Sequence, residues 1–357
     1  MNDRQYKNCE RGFSLLEMVV AIAVMLVITG AIFALMRDSV KTSTATLEMS
    51  DGQQSSRTGQ EFINRDLMNA GDGLSNIIDI RVPQNFVANF LTRTPVEPSP
   101  SGIVNLGLLT SDNNLPPNTP VLGAAPTEEV RASPLLTDRI SILQTDRAFV
   151  PITLDAADVD PATGQVSIEP ADIDDFRVGE IYFVTSARGS IFATITDRLN
   201  VGTPNPSLVF AEGDVFGLNS VGAGSNLDFI TSGATLPASL SRMKIIHYYV
   251  NSNGLLMRRV FGVPNFGFVD SVIAEHVVSL QFRYFLNLRD VNDNVVQPVA
   301  QLTTSQEQVE TRQVEVTLTV ETPHTLQNGQ RQQISMTTST SVRNMQFRRS
   351  LSPNAGG

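Results

Sequence analysis

The sequence predicts an α+β protein in which one long N-terminal helix packs on an antiparallel β-rich domain. Three observations predict it: an uncharged apolar run from Met18 to Met36, the absence of proline before Pro83, and alternating apolar and polar residues near the C-terminus. With 357 residues, of which 41% are hydrophobic, the chain has enough apolar material for a large folded core. Its net charge of -10 disfavours binding to nucleic acid, because that affinity comes mainly from cationic side chains.

The apolar run predicts a helix that crosses a membrane. A helix over these residues is about 28 Å long, which matches the hydrocarbon core of a bilayer. The short segment before it carries Arg4, Lys7 and Arg11, and such basic residues favour retention on the cytoplasmic side. A cleaved secretory signal has a shorter apolar stretch and a small-residue cleavage site after it, and this segment has neither. We therefore expect a single-pass anchor with the C-terminal domain on the outer side of the membrane.

Glu17 is unusual because a carboxylate inside an apolar segment is costly unless it is paired or stays hydrated. It either marks the headgroup edge of the span or serves a purpose of its own. Residues Arg11–Glu17, read as RGFSLLE and followed by the apolar run, resemble the class III signal of type IV prepilins. The resemblance implies that a prepilin peptidase cleaves after Gly12 and N-methylates Phe13. Glu17 then stands at the fifth position of the mature chain.

The resemblance also divides the chain into segments. Residues 1–12 are a leader peptide, which contains the single cysteine, Cys9. Residues 13–36 are a transmembrane helix that later enters a filament core, and residues 37–71 continue that helix. In a dry filament core the terminal amine of Phe13 needs an anion, and Glu17 of a neighbouring subunit can supply it. A buried ion pair of this kind sets register, so Glu17 is expected to be an assembly determinant and not a catalytic acid.

Three further segments are similar to PilW-like minor pilins: Arg65–Gly71, His276–Tyr284 and Ser339–Asn344. The resemblance implies a structural component of a type IV pilus that primes filament assembly at or near the tip, with no enzymatic activity. Implied partners are the prepilin peptidase, other minor pilins, the major pilin and an assembly platform in the bacterial inner membrane. The mature domain is then periplasmic, and after assembly it lies in a surface filament. Two alternatives remain open, a J-type pseudopilin of a type II secretion system and a tip adhesin.

Residues 72–350 are expected to form the enlarged β-rich domain, followed by a flexible tail at 351–357. Hairpins are predicted where strands at 181–186 and 191–199 flank a turn, and where strands at 244–250 and 255–261 flank Gly254. Alternation predicts further strands at 314–320 and 334–342. Dense proline predicts a surface loop over 92–137, and dense glycine predicts a second one over 201–233.

Candidate metal and catalytic residues are few. Asp290, Asn292 and Asn294 alternate as calcium ligands do, but Val295 replaces the turn glycine and Gln301 stands where a bidentate glutamate is needed. A plain Asx-rich turn is the favoured interpretation, with calcium as a weak alternative and no other cofactor expected. No nucleophile elbow or phosphate-binding loop is present. His247, between apolar and aromatic neighbours, is interpreted as a packed histidine.

Overall fold

The computed structural model describes residues 14–74, 80–91, 102–115, 136–222, 225–231, 237–265, 267–288, 295, 297–324 and 331–342. It confirms the α+β prediction, because the long apolar helix α1 (Leu15–Met68) is followed by a β-rich domain. The chain divides into two compact units, one of residues 1–51 with 322–332 and one of residues 52–321 with 333–357. Gly12, Phe13 and the calcium candidates Asp290, Asn292 and Asn294 lie outside the described residues.

The described strands and short helices follow α1 in chain order. The strands are β1 (Ile80–Pro83), β2 (Ile103–Leu106), β3 (Leu109–Leu115), β4 (Thr137–Thr145), β5 (Ile152–Leu154), β6 (Val159–Asp160), β7 (Gln165–Ser167), β8 (Ile181–Ser186), β9 (Gly189–Thr194), β10 (Asp197–Leu199), β11 (Ser207–Val209), β12 (Ala238–Val250), β13 (Leu256–Val263), β14 (Gly267–Ala274), β15 (Val277–Leu286), β16 (Thr311–Glu321) and β17 (Gln333–Ser341). The short helices are α2 (Gln84–Phe86), α3 (Asn226–Thr231) and α4 (Ser305–Glu310).

The first unit consists of residues 14–51 of α1 and the described ends of the loop between β16 and β17. No residue of this part of α1 is buried. The loop is closed by a hydrogen bond from the Gln332 backbone N–H to Thr322 Oγ1, at 3.1 Å. His324 Nδ1 lies 2.8 Å from Glu48 Oε1 on the helix. The loop and the helix are therefore joined through a polar contact.

The large sheet of the second unit is organised around β12. Residues 238–242 of this strand pair with β5 and β8, and residues 243–250 pair with β4 and β13. From β8 the sheet continues through β9, β1 and β2, from β13 it continues to β14, and from β4 it continues to β3. The pairing of β1 with β9 is parallel, whereas the other pairings of this sheet are antiparallel. One long strand thus carries two halves of the sheet.

Two smaller sheets complete the described β structure. β15, β16 and β17 form a three-stranded antiparallel sheet, and β10, β11, β7 and β6 form a four-stranded one. In β16 the valine and leucine side chains from Val314 to Val320 are buried and the residues between them are half-buried. This confirms the predicted alternation. The predicted hairpin of β12 and β13 is confirmed as well, with Gly254 at φ 72° in its turn.

Residues 52–68 of α1 pack against the β structure through small and polar side chains. The buried residues of this segment are Ser56, Gly59, Gln60, Ile63, Asp66 and Leu67. A Cβ atom at Gly59 would lie 3.0 Å from Leu318 Cδ2 and 3.1 Å from Leu256 Cδ2. Glycine is therefore needed there, because only a residue without a side chain lets the helix backbone come this close. α1 ends at Met68, three residues before the predicted end, and Gly71 and Gly73 follow with positive φ.

The β domain contains two hydrophobic cores that share β8 and β9. Ile181, Phe183 and Phe192 belong to the core that also contains Ile63 and Leu67 of α1. Their neighbours in the strands, among them Tyr182 and Ile191, belong to a second core. Because successive side chains of a strand point to opposite faces, these two strands separate the cores. The second core extends from Phe149 to Leu240. It lies between the segments Arg65–Gly71 and His276–Tyr284, which resemble PilW-like minor pilins.

The structure corrects the two predicted loops. The predicted loop over 92–137 contains β2 and β3, and the predicted loop over 201–233 contains β11 and α3. Val104 and Leu106 of β2 are buried. The prediction of a loop was wrong for residues 103–115, because the density of proline elsewhere in the segment concealed this short apolar alternation. The second strand of the predicted hairpin at 191–199 is likewise divided into β9 and β10.

Candidate assembly site

The N-terminal half of α1 exposes apolar side chains on every face. Leu15 is 82% exposed, Met25 70% and Leu35 71%. The most apolar part of this helix has a mean hydropathy of 2.8, and none of it is buried. By length and composition it can cross a membrane, and it is the one such helix among the described residues. The large apolar area exposed here is unfavourable in water, so this segment requires lipid or other helices.

Glu17 lies in the first turn of α1 and is exposed. The Ser14 backbone N–H donates a hydrogen bond to Glu17 Oε2 at 3.4 Å. This contact is favourable because a carboxylate accepts from the free N–H groups at a helix N-terminus. In the part of the chain that the structure describes, no basic side chain forms an ion pair with Glu17.

Beyond the apolar run, α1 carries threonines whose hydroxyl groups bond to the helix itself. Thr42, Thr44 and Thr46 each donate to the backbone carbonyl four residues earlier, at 2.9 to 3.0 Å. Such bonds satisfy the hydroxyl groups within the helix. Glu48, one turn beyond Thr44, contacts His324 as described above. Sequence spacing does not indicate this contact, because the two residues are 276 positions apart.

Asp66 anchors the C-terminal half of α1 to the β sheet. This residue is only 3% exposed. Its Oδ2 atom accepts a hydrogen bond from Tyr248 Oη at 2.5 Å and one from Arg258 Nε at 2.7 Å. Asp66 belongs to the Arg65–Gly71 segment, and the sequence did not indicate that its side chain is buried. Its position three residues after buried Ile63 is the signal that could have indicated this, because such residues share a helix face.

The environment of Asp66 keeps both of its donors protonated. Burial raises the pKa of the Tyr248 hydroxyl, and the charge of Asp66 raises it further. Burial lowers the pKa of Arg258, but the hydrogen bond and charge of Asp66 outweigh this, so the pKa is raised overall. The three side chains thus form a buried ion pair with an additional hydroxyl donor. Loss of the carboxylate would leave a cation inside the protein without its partner.

Two more side chains tie α1 to β17. Gln60 Nε2 donates to the backbone carbonyl of Met336 at 2.7 Å. Asn64 Oδ1 accepts from Thr340 Oγ1 at 2.6 Å and also from Thr338 Oγ1 at 3.3 Å. These contacts link residues distant in sequence, and they fix the helix against the last described strand of the fold.

The described residues offer little chemistry for catalysis or metal binding. Ser141 Oγ lies 2.8 Å from His247 Nδ1, and both residues are buried. Burial lowers the pKa of His247, and the charges of Arg139 and Arg259 lower it further, so this histidine is neutral. Within the described ranges, no group of three or more His, Cys, Asp or Glu residues is placed to hold a metal ion.

A polar cleft of about 700 Å³ opens beside the second core. Its walls come from β5, β7 and the segments next to them. The lining residues are Ile152, Thr153, Leu154, Asp155, Asp158, Ser167, Ile168, Glu169, Pro170, Asp172, Pro204, Asn205 and Pro206. Asp158 Oδ2 accepts a hydrogen bond from the Asp155 backbone N–H at 2.8 Å, so the two acids also cap a short helical turn. The cleft is a concave surface that the sequence did not indicate.

Comparison with known proteins concerns the N-terminal segment. Residues 7–33 match the family described as the prokaryotic N-terminal methylation motif. No curated protein and no solved structure matches the chain. The motif confirms the class III signal recognised in the sequence, and with the apolar helix it fits a single-pass inner-membrane protein. It implies processing by a prepilin peptidase and assembly with other pilins, in a class of proteins that is structural. The motif therefore supports a type IV pilin-like or pseudopilin protein.

Proposed function

We propose that this chain is a minor pilin of the PilW-like kind, which primes assembly of a type IV pilus and remains at or near its tip. The observation that carries the proposal is the N-terminal half of α1, which is apolar on every face and unburied within its own chain. The match of residues 7–33 to the methylation motif supports the proposal, because it includes the first part of that helix. A helix of this kind is stable first in lipid and then among the helices of other subunits.

The proposed mechanism begins with cleavage between Gly12 and Phe13, followed by N-methylation of Phe13. Cleavage creates a positively charged terminal amine four residues before Glu17. Two unit charges about 4 Å apart attract by roughly 4 kcal/mol at an effective dielectric constant near 20. Desolvation offsets much of this, so the pair of Phe13 with Glu17 of a neighbour mainly sets the axial register of the two helices. Among the described residues, no basic side chain forms an ion pair with Glu17, and this agrees with the proposed role.

Assembly then moves the helix from the bilayer into a helical bundle. Lipid tails are as apolar as leucine, so the gain comes from close packing between helices, which small residues favour. Gly30 has no atom within 4 Å of the position where a Cβ would stand. No contact among the described residues requires glycine there. We infer that Gly30 lets a helix of a neighbouring subunit pack closely against α1.

A J-type pseudopilin of a type II secretion system would use the same helix in the same way. The Arg65–Gly71 segment does not separate the two, because Asp66 has a structural role within the domain. Deletion of the chain separates them. We expect loss of surface pili with intact protein secretion, whereas loss of secretion with normal pili would identify the pseudopilin.

One observation favours a tip adhesin as a second candidate, namely the cleft of about 700 Å³ beside the second core. Ser167 lines this cleft and is exposed on β7. If the cleft binds a surface ligand, Ser167→Tyr narrows it and abolishes attachment of cells that still make pili. Unchanged attachment by cells carrying Ser167→Tyr would remove this candidate.

The main proposal is tested by Glu17→Gln, which keeps the size of the side chain and removes its charge. We expect normal processing but a fall of about tenfold or more in the amount of the protein in sheared filaments, corresponding to about 1.4 kcal/mol or more of lost pairing. Asp38→Asn is the matched control, an exposed acid further along α1 that should be incorporated normally. Normal incorporation of Glu17→Gln would refute the assembly role.

A further inference from the structure

Among the described strands, β17 lies at the edge of its three-stranded sheet. Its residues pair with β16 in one continuous register from Gln333 to Ser341. Among the strands that the structure describes, none pairs with its other side between residues 333 and 339. The side chains of Gln333, Ser335, Thr337 and Ser339 are exposed. An open edge of this length presents a row of backbone donors and acceptors.

The direction of these backbone groups follows from the register. The Val342 N–H donates to the Arg312 carbonyl at 3.0 Å, at the end of the same ladder. In an antiparallel pair, hydrogen-bonded and non-hydrogen-bonded positions alternate. Even-numbered residues of β17 therefore direct their backbone groups at β16. The backbone N–H and C=O groups of Ser335, Thr337 and Ser339 point to the open side.

Comparison with the edge strand β14 shows that the edge of β17 is unprotected. β14 contains Asp270, and its pairing with β13 is interrupted by two irregularities. Charges and bulges on an edge strand prevent pairing with other chains. β17 has no charged residue, no proline and no irregularity in its register. Its sequence thus lacks the features that normally block strand addition.

The strand is also held rigidly in an extended form. Gln60 and Asn64 of α1 hydrogen-bond to one side of it, as described above. On the exposed face, Thr337 pairs with Thr317 of β16 at 3.0 Å, and Ser335 pairs with Thr319 at 3.1 Å. A strand that is already ordered loses little conformational entropy when a second strand binds to it.

We propose that the open edge of β17 accepts an extended strand from a neighbouring pilin-type subunit, which adds a fourth strand to the sheet of β15, β16 and β17. The exposed side chains of β17 are uncharged hydroxyl and amide groups, so recognition rests on main-chain hydrogen bonds, as in β-augmentation. The proposal rests on the proposed function, because the unburied half of α1 requires other subunits and assembly brings them next to this chain. It adds a second contact beyond the helix bundle.

The test uses the full chain in cells that assemble filaments. A photoreactive phenylalanine analogue replaces Ser339, and covalent adducts are identified by mass spectrometry after illumination. We expect an adduct with another subunit that carries the N-terminal methylation motif. Thr337→Pro removes the backbone N–H of residue 337, which faces the open side, and keeps the hydrogen bonds between β17 and β16. It should therefore reduce this adduct about tenfold or more. Circular dichroism should show an unchanged fold.

Thr337→Lys provides a second variant, with Thr317→Lys as its matched control. Both place a lysine on the same exposed face, but only the first lies on the edge strand, so only the first should reduce the adduct. An adduct confined to the same chain, the absence of any intermolecular adduct, or an adduct insensitive to both changes at Thr337 would overturn the proposal. If filament incorporation still depends on Glu17 in that case, the edge proposal alone fails. Normal incorporation of Glu17→Gln would instead refute the proposed function.

Discussion

The two halves of α1 have the same secondary structure but opposite surroundings. Residues 15–51 bury nothing within the chain, whereas residues 52–68 bury Ile63, Asp66 and Leu67 among others. The second half is specified by contacts with the chain's own sheets, through close packing at Gly59 and an ion pair at Asp66. The first half is an equally regular helix in which no residue is buried, and its described contact with the rest of the chain is the polar one between Glu48 and His324. Its sequence is therefore explained by partners outside the chain.

Three glycines of α1 make the difference concrete. A Cβ at Gly59 would contact three side chains at 3.0 to 3.3 Å, and one at Gly52 would meet Ile334 and Val320 at ordinary distances of 3.4 and 3.5 Å. A Cβ at Gly30 would meet nothing within 4 Å. Glycine is costly in a helix interior at each of these three positions. The packing of the domain requires it only at Gly59.

The largest effect on folding is expected for Asp66→Ala. The change leaves Arg258 half-buried without its carboxylate and removes the acceptor of Tyr248, so the free energy of unfolding should fall by about 3–5 kcal/mol. Denaturant unfolding of the full chain in detergent, followed by circular dichroism, measures it. Arg65→Ala is the control, since Arg65 is exposed and 3.6 Å from Asp66, and it should cost less than about 1 kcal/mol. Equal losses of unfolding free energy for Asp66→Ala and Arg65→Ala would contradict the role of Asp66 as an anchor of α1.

Gly59→Ala should destabilise the domain by about 1–3 kcal/mol, because the new methyl group is forced against Leu318, Leu256 and Ala274. The same unfolding experiment measures the loss. A neutral result would mean that these side chains move aside without cost, and it would contradict the need for glycine at this position.

Gly52→Ala should have the opposite sign. The added methyl group makes ordinary contacts and improves helix propensity, so stability should rise by up to about 1 kcal/mol. Gly52→Ala and Gly59→Ala form a matched pair within one helix. If both destabilise the protein equally, then steric closeness at Gly59 is not the cause.

Gly30→Leu should leave unfolding of the domain unchanged, because no described atom beyond the backbone of α1 itself lies within 4 Å of a Cβ at that position. If a neighbouring helix packs closely at Gly30, the larger side chain reduces incorporation into filaments. Immunoblots of sheared filaments, normalised to the total protein, measure this. Unchanged incorporation would show that Gly30 faces away from other helices.

The sequence predicts those parts of the fold whose local pattern agrees with their burial. The alternation from Val314 to Val320 predicts β16 correctly, and Gly254 predicts the turn between β12 and β13. The apolar run predicts the first half of α1 for the same reason, because one property is maintained over many residues. Gly71 and Gly73, both with positive φ, correctly indicate the helix end.

The rest depends on contacts between distant residues. β6 and β10 have only two and three residues, too few to show a period, and they form because they pair with β7 and β11. Asp66 looks like a surface acid until Tyr248 and Arg258 are brought to it from far along the chain. At the proposed assembly site, Glu17 is a candidate that comes from the sequence. The chain alone shows only that its carboxylate is exposed and lacks a cation among the described residues.

The central claim is that the unburied half of α1 is made ready for other subunits by removal of the segment before it. The most direct measurement is the mass of the native protein extracted from membranes and from filaments. The account predicts a chain that begins at Phe13 and carries one additional methyl group on its terminal nitrogen. A protein that still begins at Met1, with the bond between Gly12 and Phe13 intact and no methyl group added, would contradict it.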